Sequence, residues 1–270
     1  FAALRGVDLL LHAGDVGELW VLDQLSAVAP VVAVHGNDDT ADAQHELPYQ
    51  QVVTAAGRRI LLTHAHYPDR TEELASRRHD SWEPVIARRL AFARSAGAPI
   101  VVFGHTHVPM AIERAGVLLV NPGAIAAPNP FERQLIQSVA LLYLGHSGAT
   151  SVVHVNLAEP DRPLLPNDDL DGGFMAVYRR YCEPIMRPEL RAILSRALRG
   201  EAGVDTALAQ AVLLRAAHRC WAGDKDMLTP DDLLAELWAA PHVAPDARAA
   251  LEQAIADATH MPARPRSAAS

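Results

Sequence analysis

Cysteine is nearly absent: two in 270 residues, Cys182 and Cys220, which excludes a disulfide framework and leaves no CxxC metal site. A chain so poor in thiols fits a reducing compartment, and a cytoplasmic location is expected. No apolar run approaches the ~20 residues that span a bilayer, and no charged-then-apolar signal segment opens the chain, so no membrane partner is expected. Positive charge is also scarce: 24 Lys and Arg against 32 Asp and Glu give a net charge of −8. That balance argues against a broad electrostatic grip on nucleic acid, although a local metal site can still hold a phosphate. Half the residues are hydrophobic and 21% charged, an ordinary folded composition with chain enough for one large or two smaller domains. The chain opens on Phe1 within what reads as a helix end, AALRG, so an upstream segment is expected.

Apolar runs that end in polar clusters organise the first half. Val7–Leu11 leads into His12, Ala13, Gly14 and Asp15; Val31–Val34 leads into His35, Gly36, Asn37, Asp38 and Asp39. Between them, Leu19, Leu22, Leu25 and Val28 step at helical spacing, and strand–helix–strand order predicts a parallel pair with its functional loops at the strand C-termini. Gln50–Ala55 and Arg58–Leu62 read as a hairpin whose second strand runs into Thr63, His64, Ala65 and His66. Tyr67–Asp80 shows no period and reads as a loop. Trp82–Ala96 reads as a helix carrying Val85, Leu90 and Ala93 on its apolar positions, and Ile100–Phe103 as a buried strand. If the backbone stays extended through Gly104, His105 and His107 project to the same side, as a metal site or as two solvated loop histidines. Two more β-hairpins are expected, Met110–Glu113 with Val117–Val120 and Val139–Leu144 with Ser151–Leu157. Prolines 160, 163 and 166 mark residues 159–167 as a linker, residues 168–260 read as a helical domain, and 261–270 as a disordered tail. In that domain Leu208, Val212, Ala216 and Cys220 form one stripe; Thr229 caps a helix whose buried face is Leu233, Leu234, Leu237 and Trp238.

Four strand ends thus deliver Asp15, Asn37, His64, and the His105–His107 pair, a carboxylate, an amide and three imidazoles that suit Mn, Fe, Zn or Ni. Asp15 has a lesser alternative reading as a helix N-cap. The stretches HAGD (12–15), HGNDD (35–39), THAH (63–66), GHTH (104–107) and NPG (121–123) resemble, in order and spacing, the calcineurin-like metallophosphoesterases. The similarity covers about residues 7–157 and points to the small bacterial and archaeal phosphodiesterase branch that includes a eukaryotic retromer subunit. It implies a four-layer α-β-β-α sandwich of two mixed sheets over residues 1–158, which the all-helical domain read from its own stripes follows. It also implies two divalent transition metals, Mn first among them. Asp15 would bridge the ions, Asn37, His64 and His105 would complete one ligand set, and His107 would serve the other. Phosphodiester hydrolysis would proceed through a hydroxide shared by ions about 3.5–4 Å apart. Asp15, Asn37 and His105 are then the candidate catalytic residues; His12, Asp38, Asp39 and His66 are candidates to stand behind the ligands. The other histidines, 45, 79, 146, 154, 218, 242 and 260, read as surface or packing residues.

The sequence departs from that family in three ways. Asp38 stands where many relatives have the histidine that protonates the leaving group. Ala65 and Ala124 replace a usual Gly and Ser. Only fourteen residues precede Asp15, with no Asp-x-His among them, so the resemblance implies a four-ligand site and a two-ligand one, hence one tightly bound metal and little activity. The expected partner is a small phosphoester, with a homo-oligomer also open. The other reading is a metal-poor scaffold that keeps the fold for protein binding.

Overall fold

Ile100–Phe103 is buried along its whole length, as a continuous apolar run of β-branched and aromatic residues requires. The computed structural model describes residues 2–76, 78–145, 148–166 and 170–260, so the expected tail at 261–270 and His146 lie outside the described residues. They fall into two compact units, residues 2–126 with 135–181, and residues 127–134 with 182–260.

In the first unit, β1 (Leu10–His12), α1 (Trp20–Ser26) and β2 (Val31–Ala33) form the expected parallel pair, Leu11 facing Val32. Thr40 caps a short helix absent from the sequence reading, α2 (Ala41–Glu46). The hairpin β3 (Gln50–Ala55) and β4 (Arg58–Thr63) follows. The expected loop at 67–80 contains a helix, α3 (Arg70–Ser76), started by Asp69, whose carboxylate accepts the Thr71 and Glu72 N–H groups at 2.6 and 3.1 Å. α4 (Glu83–Ala96) ends at Gly97 in the left-handed region, and it buries Ile86, Arg89 and Ala93 in place of the expected Val85 and Leu90. Then come β5 (Ile100–Phe103), β6 (Met110–Arg114) and β7 (Val117–Asn121), giving a mixed sheet ordered β3-β4-β5-β7-β6. Strand β8 (Glu132–Gln134) belongs to the second unit.

The chain returns with β9 (Ser138–Leu144) and β10 (Thr150–Asn156). Pro163 and Leu164, in the expected linker, instead form β11 beside β10, an edge position that tolerates a residue without an N–H. α5 (Phe174–Tyr178) stays with this unit, Phe174 against Trp82 and the Met175 N–H on Asp80 at 2.7 Å. Ile60, Leu62, Ile100, Val102 and Val120 of the five-stranded sheet meet Leu11, Val32, Ala140, Leu142 and Val152 across one core. At about 1.5–3 kcal/mol for each fully buried aliphatic side chain, this core fixes the strands whose ends carry the polar clusters.

The second unit pairs β8 with β12 (Cys182–Pro184) and is otherwise helical: α6 (Pro188–Ala197), α7 (Thr206–Trp221), α8 (Pro230–Ala239) and α9 (Pro245–His260). Val212, Ala216 and Cys220 are buried as their spacing predicts. Thr229 and Asp232 form a capping box. Leu233 and Leu237 are buried, whereas Trp238 is 56% exposed, its ring under the Arg248 guanidinium. Among the described residues, no helix is long and apolar enough to cross a membrane.

Candidate metal centre

The loops leaving β1, β2, β4 and β5 meet at one end of the first unit, because parallel strands point their C-termini the same way. Asp15 lies after β1, Asn37 after β2, His64 after β4, and His105 and His107 after β5. The backbone is not extended through the GHTH loop. His105 (φ 69°) and His107 (φ 58°) are both left-handed, as are Asp15 (φ 53°) and Ala65 (φ 68°), a clustering of costly conformations typical of functional loops.

His64 is the hub. It is 2% exposed; its Nδ1 lies 2.8 Å from the carbonyl oxygen of Ala13, which can only accept, so the proton sits on Nδ1. Its Nε2 faces Asp15 Oδ2 at 3.1 Å, Asn37 Oδ1 at 3.2 Å and His105 Nδ1 at 3.2 Å. On its other side His105 Nε2 meets a Glu73 carboxylate oxygen at 2.9 Å, so that ring's proton is on Nε2. Four lone-pair atoms therefore converge with no proton among them, an arrangement that a cation, or an added proton, would resolve. Two glycines permit the convergence: a Cβ on Gly36 would stand 2.0 Å from Asp15 Oδ1, and one on Gly104 2.5 Å from the Ala13 carbonyl.

Burial raises the Asp15 pKa, but an added proton that His64 Nε2 and Asp15 Oδ2 can share in place of a cation, together with the Asp38 N–H at 2.9 Å, brings it down to about 2. Burial takes His105 to about 4 against the pull of Glu73, so at neutral pH it is an uncharged donor. Burial and the neighbouring Asp15 carboxylate raise Asp38, while His107 lies close enough to oppose them. Asp39 is a brace: its oxygens accept the Gly17 N–H at 2.6 Å and the Gly36 N–H at 2.7 Å, tying the β1 and β2 loops together. His12 and His66 each bury an Nδ1 without a partner, and burial lowers both pKa values, His66 to about 4. Arg88 holds the β4 loop from outside, donating to the carbonyls of Ala65 (2.7 Å) and His66 (2.9 Å). His154, far from the motifs in sequence, is buried and meets the Asn121 carbonyl at 2.8 Å, a packing role.

Imidazole, carboxylate and amide donors suit a divalent transition metal, and contacts of 3.1–3.2 Å match the edges of a coordination shell with bonds of about 2.0–2.1 Å. As they stand the donors touch one another: among the described residues, no three His, Cys, Asp or Glu side chains are grouped to hold a metal ion. The donor chemistry fits one ion. Glu73, which the sequence reading passed over, lies in a helix whose charges follow no apolar period; only the Asp69 cap signals that helix.

The family model for the calcineurin-like phosphoesterase superfamily domain matches residues 1–146. The chain belongs to this superfamily. Among curated relatives, it is 34% identical over 145 residues to the probable metallophosphoesterase YsnB of Bacillus subtilis (53% of this chain, 73% of that one). It is 31% identical over 130 residues to the probable metallophosphoesterase MJ0623 of Methanocaldococcus jannaschii (47% and 58%). It is 30% identical over 115 residues to the phosphodiesterase YfcE of Escherichia coli K12 (40% and 52%). The chain thus spans little more than half the length of the last two. Membership accounts for the mixed α/β fold described above.

Proposed function

We propose that this superfamily member hydrolyses phosphodiesters, with one divalent ion held by Asp15, Asn37, His64 and His105. Manganese is the metal we favour. The observation that carries the reading is the meeting of four acceptors at His64 Nε2 with no donor between them. A bound ion would supply charge to withdraw electron density from the phosphoryl group and acidify water. The chain's own residues do the rest. The Ala13 carbonyl fixes the His64 tautomer, the Asp38 N–H orients Asp15, and Asp39 keeps the Asn37 loop in register with the Asp15 loop. By the family resemblance Asp15 and His107 would serve a second ion, and two ligands hold an ion weakly. Diesters are preferred to phosphoproteins because the chain is acidic and no Arg precedes the Gly36–Asn37 pair; YfcE, a relative, is named a phosphodiesterase.

The test uses the full chain, stripped with chelator and titrated with Mn. We expect about one tightly bound equivalent, and slow, metal-dependent hydrolysis of an aryl phosphodiester that Asp15→Asn abolishes. Hydrolysis indifferent to chelator and to D15N, or faster turnover of a phosphopeptide than of the diester, would overturn the reading.

A further inference from the structure

Glu73 is a buried carboxylate, 6% exposed, at the centre of the short helix α3. Both its oxygens are committed. Oε1 meets His105 Nε2 at 2.9 Å, and Oε2 accepts the Tyr67 N–H at 3.0 Å. The peptide that holds Oε2 is three residues beyond His64 in the β4 loop. The Tyr67 ring lies 3.8 Å beneath the Arg88 guanidinium, which also grips the Ala65 and His66 carbonyls of that loop. Asp69 starts α3 and presents its first turn to the site, the Glu73 N–H bonding to the Asp69 carbonyl at 3.0 Å. The carboxylate is therefore held in place by the segment that also supplies His64.

We propose that Glu73 is the positioning residue of His105: by accepting its Nε2–H, the carboxylate fixes the tautomer and turns Nδ1 toward His64 Nε2, Asp15 and Asn37. This rests on the proposed ion site for its purpose, though not for its geometry. An imidazole without an outer partner divides its proton between the two nitrogens and rotates about its χ angles; a buried carboxylate on one nitrogen removes both freedoms and makes the other a better donor. A surface ion pair would do neither. In a left-handed residue such as His105, whose backbone does not select the usual side-chain direction, an outside hold is the more needed.

The experiment reads the His105 ring nitrogens by long-range proton–nitrogen NMR on the metal-free full chain at pH 7, the signal assigned with His105→Gln. The wild type should show the Nε2–H tautomer. Glu73→Ala should give a mixture or the other tautomer, and Glu73→Gln, whose amide oxygen still accepts, should restore it. Glu73→Asp, with the charge drawn back by one methylene, stands in if the alanine variant does not fold and should also lose the preference. In a parallel titration with Mn, Glu73→Ala is expected to weaken binding about 10–100-fold and Glu73→Gln to change it by less than about threefold. An unchanged His105 tautomer in both the Ala and Asp variants, or equal losses in Ala and Gln, would overturn the proposal. If the wild type binds no divalent ion, the functional reading fails, while the tautomer comparison still decides what Glu73 does.

Discussion

Gly36 and Asp15 touch so closely that a single added carbon has no room: a Cβ on Gly36 would lie 2.0 Å from Asp15 Oδ1 and 2.5 Å from the Asp15 nitrogen. Gly36→Ala must therefore move a loop by about an ångström. At sites that depend on geometry, such a shift costs about 100-fold in rate. We expect that loss in diester hydrolysis together with weakened Mn binding; a G36A protein with wild-type metal affinity would show that the two loops need not meet.

Asp39 bridges the same two loops through backbone amides at 2.6 and 2.7 Å. Bonds from neutral donors to a buried carboxylate contribute about 1.5–3 kcal/mol each. Asp39→Ala should lower the unfolding free energy by about 2–4 kcal/mol in urea titrations, and Asp39→Asn should recover only part, since one oxygen becomes a donor. A loss below about 0.5 kcal/mol would place the brace elsewhere.

Acid should destabilise the metal-free protein in two stages. Burial lowers His12, His66, His105 and His154, with His66 and His105 at about 4, so between pH 6.5 and 4 the unfolded chain binds protons that the native one refuses. Stability from these groups is complete above pH 6.5 and is lost as pH falls toward 4. Asp15, held at about 2, adds a second loss between pH 3.8 and 2. Urea midpoints measured from pH 7.5 to 4.5 test the first stage, and a flat profile there would mean that these rings charge freely in the fold.

In the helical unit Asp232 gathers Lys225 Nζ at 2.6 Å, Arg219 at 3.2 Å and the Thr229 N–H at 2.8 Å. Burial opposes its ionisation, yet these donors hold its pKa at about 2. Asp232→Asn should cost about 1–3 kcal/mol at pH 7. The gap to wild type should close as pH falls from 3.8 toward 2; a gap independent of pH would assign the effect to shape, not charge.

The polar strand ends were legible because each apolar run stops abruptly at a chemically distinctive cluster, and burial of one sheet face forces that pattern. Asp15, Asn37, His64 and the His105–His107 pair follow from it; which four gather at one point came from the family resemblance. Glu73 was not legible: RTEELAS offers charges at every spacing, and only its distance from His105 in the folded chain gives one of them meaning. Arg89 was hidden for the opposite reason. Arginines normally face water, but this one is buried with its guanidinium 4.9 Å from the Phe103 ring, a cation–π contact that no periodicity encodes. Trp238 misled in turn, since a tryptophan at helical spacing suggests burial, yet Arg248 covers it from outside. Prolines at 160, 163 and 166 signalled a break, but Pro163 needs no N–H at an edge and so could extend the β9–β10 sheet.

Strand β8 and its partner β12 are separated by 48 residues along the chain, Gln134 to Cys182. A ribosome adding about 5–20 residues per second delivers the first of them roughly 2–10 s before the second. During that interval β9, β10 and β11 can pair among themselves, while Glu132–Gln134 waits as an unmatched ribbon. Synthesis thus imposes an order on this molecule, in which an early peptide is completed only by a late one, and a pause in translation anywhere between 135 and 181 would prolong the exposure.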